Sequence, residues 1–278
     1  MKSLFQKGKV ILVGAGSGDP ELITVKGMRY LQAADVVLTD RLVSPGIIHA
    51  YASPEAKVIY VGKQCRRGQS TPQATINELL VLYAQDNKLV VRLKGGDVSI
   101  FSNILDELET LVQHQIPYEI VPGVTAALGA AAYAGIPLTA RNHATAVRFL
   151  TAYKSDVVSN AYWKELAQTD DTLVFYMSSE TLGNVVNQLL DNNSDRNKPL
   201  AVVEQATTPY QKVYTCTLES YAATWGDKQF LSPALVIIGK VVSLHEQFKW
   251  LPAHPEQVEY FSADNITTNE NQQLALTA

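Results

Sequence analysis

The sequence KLVVRLKGGDVSIF, residues 88–101, contains an apolar run that stops at a glycine turn followed by a carboxylate. Val90, Val91 and Leu93 form the near-continuous apolar pattern typical of a strand in a parallel sheet covered on both faces. Glycines accept positive φ and allow close approach to the main chain, and open α/β sheets bind ligands beyond strand carboxyl ends. Residues 95–97 are therefore a candidate ligand-binding turn, although an isolated Gly-Gly-Asp also fits a plain strand-to-helix turn with a capping aspartate.

Four further apolar runs in the first half of the chain have the same character, at residues 9–14, 35–40, 57–63 and 117–123. Helical patterns separate several of them, and the alternation predicts right-handed β-α-β crossovers and a parallel sheet. Polar side chains lie at or just past the carboxyl ends of four of the predicted strands. They are Ser17, Asp40, Lys63 and Asp97. Their shared position at strand ends favours a common site at one edge of the sheet.

The pattern restarts after the small-residue stretch VPGVTAALGAAAYAGIPL. Strands are predicted at residues 146–151, 172–177, 200–204, 211–216 and 234–238. The third and fourth of these are joined too tightly for a helical crossover, which predicts an antiparallel pair. The sequence thus predicts an α/β protein of two α/β domains, a parallel-sheet domain at 8–122 and a mixed-sheet domain at 123–251. Residues 252–278 lose periodicity and are predicted to form a disordered tail.

Composition excludes several classes of protein. The chain has 278 residues, a net charge of -4 and a pI near 5.8, so no overall field attracts nucleic acid or an anionic membrane. No segment reaches the roughly 18 apolar residues of a membrane span, and the amino-terminal run is too short for a signal peptide, which predicts a cytoplasmic protein. Cys65 and Cys216 are read as reduced thiols. The histidines have no metal-ligand spacing, so no metal site is expected.

The loop GAGSGDP resembles the dinucleotide fingerprint G-x-G-x-x-G, except that Asp19 occupies the third glycine position. A carboxylate there opposes a pyrophosphate at a helix amino terminus, so an NAD-linked oxidoreductase is a distant alternative. Basic residues also gather near the predicted strand ends. They are Arg41, Lys63, Arg66, Arg67, Lys94, Arg141 and Arg148. A solvated basic face and a pocket for a polycarboxylate both remain open for them.

Taken in order over residues 8–251, the motifs resemble the tetrapyrrole methylase family, and within it the members that C-methylate uroporphyrinogen III. The motifs are VGAGSGDPELIT, LTDRLVSP, VGK, PQATIN, VRLKGGD, EIVPGVTAALGAAAYAGIPLT, TLVFYM, AVVEQAT and SPALVIIGKVV. The resemblance implies a homodimer that binds S-adenosylmethionine in a cleft between two domains. It implies methylation of uroporphyrinogen III at C2 and then C7, which gives precorrin-2 for sirohaem or cobalamin.

Matching the family motifs residue by residue implies a set of cofactor contacts. They are Ser17, Gly95, Gly96, Asp97, Ile100, Thr125, Ala126, Met177 and Ala206. By the same matching, Asp40 is the proton acceptor and Lys63 the proton donor. The eight carboxylates of the substrate call for cationic partners, and the hypothesised clamps are Arg41, Arg66, Arg141 and Arg148.

The chain departs from the family after the Gly-Gly-Asp turn, where VSIFSNILDE at residues 98–107 replaces a segment close to PFVFGRGGEE. Loss of a proline and three glycines predicts a more helical segment that curls less readily around a ligand. A methyltransferase acting on a later corrinoid intermediate is the nearest alternative. A non-catalytic S-adenosylmethionine sensor would be suggested by loss of Asp40 or Lys63, and both are present. The early first strand leaves no room for a fused dehydrogenase-ferrochelatase, so separate downstream enzymes are expected.

Overall fold

The computed structural model describes residues 7–61, 71–152, 159–256 and 258–261. The chain divides into two units. The first runs to Thr125 and takes in the chain again from Tyr260, and the second comprises Ala126–Glu259. Each unit contains one five-stranded sheet, so the prediction of two α/β domains is confirmed. Within the described ranges, no helix is both long and apolar enough to cross a membrane.

The sheet of the first unit is parallel throughout, with strand order β3-β2-β4-β1-β5. Its strands are β1 (Lys9–Gly14), β2 (Val36–Thr39), β3 (Lys57–Tyr60), β4 (Leu89–Lys94) and β5 (Tyr118–Val121). Because all five strands run the same way, their carboxyl ends lie along one edge, as the sequence predicted. β4 is central and fully buried along its length.

Helices cover both faces of this sheet. They are α1 (Val25–Ala33), α2 (Pro45–Tyr51), α3 (Gln73–Gln85) and α4 (Ile104–Gln113), with a 3-10 turn at Pro20–Leu22. Alternate strand residues enter two cores: Ile11 and Val13 pack with α1 and α2, whereas Val10 and Leu12 pack with α3 and α4. Two covered faces explain why the strands are apolar at successive positions rather than alternately.

The second unit has a mixed sheet of order β6-β7-β10-β8-β9. Its strands are β6 (Val147–Thr151), β7 (Thr172–Tyr176), β8 (Pro199–Glu204), β9 (Lys212–Thr217) and β10 (Ala234–Ile238). Its helices are α5 (Ala126–Ala134), α6 (Asn160–Gln168), α7 (Leu182–Asp191), α8 (Tyr221–Trp225) and α9 (His245–Phe248), with a 3-10 turn at Lys240–Leu244. Only β6 and β7 pair in parallel. The predicted antiparallel β8–β9 pair is confirmed.

The expected disorder from residue 252 onwards is wrong for the start of the tail. Phe261 is 2% exposed, and the carbonyl of Val258 accepts a hydrogen bond from Gln205 Nε2 at 2.8 Å. Local sequence had no periodic pattern here, but a buried aromatic ring and backbone hydrogen bonds order the segment through tertiary contacts.

The departing segment at 98–107 is helical only in part. α4 begins at Ile104, and the residues before it form a turn in which Phe101 and Asn103 have φ of 51° and 53°. Ser102 Oγ donates to the carbonyl of Val98, so side-chain hydrogen bonds compete with helix formation in this turn. The prediction of a more helical segment is therefore wrong for residues 98–103.

Candidate active site

Three backbone segments meet at the carboxyl edge of the first sheet, at Gly14, Gly96 and Gly123. Gly16 N donates to Gly96 O at 3.1 Å, and Gly96 N donates to Gly16 O at 2.7 Å. A Cβ built on Gly123 would lie 2.4 Å from Gly96 O and 2.7 Å from Gly14 C, distances that no side chain tolerates. These glycines are therefore required for backbone-to-backbone packing, which makes the edge a rigid platform.

Asp97 ties these segments together. It is 8% exposed, and its Oδ2 accepts from Gly123 N at 2.8 Å. Its Oδ1 accepts from Ser99 N at 2.8 Å and from the Ser99 hydroxyl. Burial alone would raise the pKa of Asp97, but the hydrogen bonds from Ser99 and Gly123 outweigh it and hold the pKa below its usual value. Asp97 is thus an ionised acceptor that holds the platform.

Asp40 follows β2 and contacts the Gly-Gly-Asp turn directly. Its Oδ1 accepts from Gly95 N at 3.3 Å and from Leu42 N at 3.1 Å. A Cβ on Gly95 would lie 2.7 Å from Leu42 O, so only glycine allows the two loops to approach this closely. The Asp40 side chain is 24% exposed. The structure therefore joins the predicted base to the predicted cofactor-binding turn and leaves the base accessible.

A buried charge cluster behind Asp40 was missed from the sequence. Arg92 Nε and Lys94 Nζ each donate to Glu107 Oε1 at 3.0 Å, and Arg92 NH2 lies 4.0 Å from Asp40 Oδ2. All three members of the cluster are at most 4% exposed. Burial, followed by repulsion from Arg92, lowers the pKa of Lys94. The available signal was two basic residues inside an otherwise apolar strand, and such residues need a buried acidic partner.

In the second unit, Tyr176, another residue that the sequence interpretation missed, precedes Met177 and contacts the residue after Ala126. The Tyr176 hydroxyl accepts from Ala127 N at 3.0 Å, which satisfies one of the unpaired N–H groups at the start of α5. Met177 follows directly and is 53% exposed. The contact links the start of α5 to the carboxyl end of β7.

Met177 and Ala206 lie at the same edge of the second sheet, because β7 and β8 are both antiparallel to the β10 strand between them. Met177, Gln205 and Thr207 have φ of 53°, 48° and 66°. Non-glycine residues with positive φ cost energy and concentrate at functional sites. This edge is consistent with the cofactor contacts implied by the resemblance.

Two other predicted cofactor contacts, Ser17 and Ile100, are half-buried near the platform, and Thr125 is buried at the end of the first unit. Ser17 follows Gly16 in the glycine loop. Ile100 lies in the turn before α4. The cofactor contacts of Ser17, Ile100 and Thr125 remain predictions.

The proposed substrate clamps differ in their surroundings. Arg41 NH1 donates to the carbonyl of Phe261 at 3.4 Å, and Arg141 is exposed. Arg148 forms ion pairs with Asp171, at 2.6 Å from its Nε, and with Glu165, and these hydrogen bonds raise its pKa above the usual value. Its charge is already neutralised within the second unit. Lys63 and Arg66 fall outside the described residues.

No group of three or more histidine, cysteine, aspartate or glutamate side chains that could hold a metal ion occurs in the described part of the chain.

Together, these features define a two-domain α/β protein in which an accessible acid and a glycine platform meet at the carboxyl edge of a parallel sheet. The chain belongs to the tetrapyrrole methylase family, since the family profile of Tetrapyrrole (Corrin/Porphyrin) Methylases matches residues 9–222.

Individual relatives agree with this assignment. The siroheme synthase of Ectopseudomonas mendocina is 47% identical over 243 residues, which cover 87% of this chain and 52% of that protein. The chain therefore spans about half the length of the curated relatives it matches. The structure of uroporphyrin-III C-methyl transferase from Thermus thermophilus complexed with S-adenyl homocysteine is 36% identical, with a TM-score of 0.71 and coverage of 85% of this chain and 99% of that one.

A cobalt precorrin-4 methyltransferase structure is also similar. It is 29% identical, with a TM-score of 0.75, and the match covers 84% of this chain and 96% of that one.

Proposed function

We propose that this chain catalyses the S-adenosylmethionine-dependent methylation of uroporphyrinogen III at C2 and C7, giving precorrin-2. The observation that supports it most is the hydrogen bond from Gly95 N to Asp40 Oδ1, which joins an accessible carboxylate to the Gly-Gly-Asp turn. The similarity to the Thermus methyltransferase, over almost its whole length, supplies the substrate.

The residues at the platform suit a cationic cofactor. Asp97 is held ionised there, and Asp40 is partly exposed. A carboxylate pair favours a sulfonium over a pyrophosphate, because the charges are opposite. Gly95, Gly96 and Asp97 would hold the cofactor in the first unit, with Ser17 beside them. When bound, S-adenosylmethionine supplies an activated methyl group and leaves as S-adenosylhomocysteine.

The residues of the chain then contribute positioning and proton transfer. The rigid glycine platform fixes the direction from which the methyl group meets a pyrrolic carbon of the substrate, and such positioning supplies much of the catalysis. Methylation at carbon requires proton movements in the macrocycle. The two backbone N–H groups that hold Asp40 Oδ1 leave its Oδ2 to accept a proton. Lys63, outside the described residues, keeps its predicted role as proton donor.

Arg41 and Arg141 are the proposed carboxylate clamps among the described residues, and Arg66 keeps that role as a prediction. Arg148 is left out, because two carboxylates already neutralise it. A homodimer, a cytoplasmic location and separate enzymes that oxidise and metallate the product remain predictions.

The similarity to the cobalt precorrin-4 methyltransferase supports a second candidate, methylation of a later corrinoid intermediate. Its higher TM-score concerns the fold, whereas the higher identity to the Thermus enzyme favours the earlier substrate. The position of Asp19 argues against the third alternative, an NAD-linked oxidoreductase. The Asp19 side chain accepts from Glu21 N at 2.8 Å and caps the 3-10 turn, so a carboxylate lies where a pyrophosphate would bind.

The test is anaerobic incubation with uroporphyrinogen III and methyl-labelled S-adenosylmethionine. We expect two labelled methyl groups per macrocycle and the absorption of a dipyrrocorphin. Binding of the cofactor without transfer to this substrate would contradict the proposal, and transfer only to a corrinoid intermediate would favour the second candidate.

The role of Asp40 is tested by Asp40→Asn. General-base catalysis contributes roughly 10²–10⁴-fold, so we expect a fall of at least about 10²-fold in kcat. Binding of S-adenosylhomocysteine, measured by calorimetry, should stay near the wild-type value. The matched control is Asp195→Asn, because exposed Asp195 also accepts a backbone N–H, from Asn197 at 2.9 Å. Equal losses of turnover and cofactor affinity in Asp40→Asn would refute its role as a base.

A further inference from the structure

The chain returns to the first unit at residues 260 and 261, which we call the C-terminal clasp. The match to the family ends at residue 222, well before this segment. Phe261 is 2% exposed, and its ring packs edge-to-face against Tyr260 with 5.0 Å between centroids. Burial of the Phe261 ring anchors the clasp, which belongs to the first unit.

The clasp contacts the loop that bears the proposed base. The Tyr260 hydroxyl lies 2.7 Å from Ser44 Oγ, and Ser44 is 1% exposed. Ser44 precedes α2, yet its side chain makes no capping hydrogen bond to that helix. Its hydroxyl is instead paired with Tyr260. Residues 40–44 are thus held at both ends, by Gly95 through Asp40 and by Tyr260 through Ser44.

A second contact reaches a proposed substrate clamp. Arg41 NH1 donates to the carbonyl of Phe261 at 3.4 Å. A guanidinium has five N–H donors, so this contact can orient the group and still leave donors for a substrate carboxylate. The clasp does not cover the base, since Asp40 is 24% exposed with the clasp in place. The arrangement suits positioning better than obstruction.

We propose that Tyr260 and Phe261 are positioning residues for the methyl transfer, acting through Ser44 and Arg41 rather than by touching substrate. This inference rests on the proposed function, because it assigns the loop of residues 40–44 to the binding of the tetrapyrrole. Loosening the clasp should raise KM for the tetrapyrrole, whose carboxylates need an oriented Arg41. The KM for S-adenosylmethionine should change little.

The first test is a double-mutant cycle of Tyr260→Phe and Ser44→Ala. Each single variant removes one hydroxyl of the same pair, and we expect each to raise KM for uroporphyrinogen III by about three- to tenfold, the range of one neutral hydrogen bond. The double variant should be no worse than the more affected single variant, because both act through one contact. The matched control is Tyr162→Phe, a partly exposed tyrosine on α6.

The second test does not depend on activity. Hydrogen–deuterium exchange of peptides spanning residues 40–51 should be faster in Tyr260→Phe than in wild type, and unchanged in Tyr162→Phe. If wild type fails to methylate uroporphyrinogen III, the proposed function falls, and exchange still decides whether the clasp holds the loop.

Any one of three results would overturn the proposal that the clasp positions the loop of residues 40–44. The first is an unchanged hydrogen–deuterium exchange rate at residues 40–51 in Tyr260→Phe. The second is a wild-type KM for uroporphyrinogen III in both single variants of an active enzyme. The third is a faster turnover of substrate by a chain that ends at Glu259 than by wild type. That last outcome would make the clasp an inhibitory contact.

Discussion

Replacement of Asp97 by asparagine should destabilise the first unit strongly. The carboxylate is almost fully buried and accepts two backbone N–H groups, from Gly123 and Ser99, each at 2.8 Å. An asparagine has one oxygen, so its amide NH₂ must face one of these donors. One charge-assisted hydrogen bond is lost and a buried N–H is left unpaired, which together cost about 3 kcal/mol in the free energy of unfolding.

The assay is equilibrium unfolding in urea at pH 7, with the fluorescence and far-ultraviolet signals followed together. The control is Asp195→Asn, where the exposed side chain accepts a hydrogen bond from Asn197 N and solvent can satisfy the change. We expect a loss of less than about 0.5 kcal/mol for the control. A similarly small loss for Asp97→Asn would refute the inference that Asp97 holds the platform together.

The effect of Asp97→Asn on stability depends on pH, in a direction set by the pKa shift of the Asp97 carboxyl in the wild type. The folded pKa of Asp97 lies below the ordinary value of about 3.9. The stabilisation is therefore complete above about pH 5 and is lost as the pH falls through the folded pKa. The stability difference between wild type and Asp97→Asn should be constant from pH 7 to 5 and narrow below pH 4. A difference that instead grew on acidification would contradict the assignment of an ionised Asp97.

Two further substitutions test the packing around the site. Gly123→Ala should cost about 3 kcal/mol or more in unfolding free energy, because its Cβ would lie 2.4 Å from a backbone carbonyl oxygen. Gly183→Ala on α7 should be neutral or stabilising, because the nearest atom to its Cβ would be the Tyr221 hydroxyl, 3.8 Å away. Wild-type stability for the Gly123 variant would show that the backbone can relax there. Tyr176→Phe should leave Ala127 N without its partner and weaken binding of S-adenosylhomocysteine by about three- to tenfold in calorimetry, with Tyr162→Phe as the control. Unchanged affinity would exclude a role for that hydroxyl in the cofactor site.

The parallel sheet was predictable because the apolar pattern of each strand reflects whether one or both of its faces are buried. In β4, Val90 enters one core and Val91 the other, so a strand buried on both faces is apolar at successive positions. The mixed sheet was predictable for a similar reason, since the short connection between β8 and β9 excludes a crossover helix.

The sequence predicted that Asp40 and the Gly-Gly-Asp turn lie at the same edge of the sheet, but it did not predict their direct contact. Strand ends of a parallel sheet lie together, but the contact between Asp40 and Gly95 depends on β2 and β4 being adjacent. Strand order is set by long-range packing. A sequence pattern does not contain it.

The sequence by itself determined the two α/β units, the strand-end position of the acid and the glycine turn, and the family to which these motifs belong. Tertiary structure alone decided that Arg92 and Lys94 meet Glu107 behind the site, and that Tyr260 reaches Ser44 across 216 positions of the chain. Periodicity reports only the environment of neighbouring residues, whereas these contacts depend on the path of the whole chain. Residues 258–261 have no pattern of their own, and they are ordered because Phe261 is buried and Tyr260 pairs with Ser44.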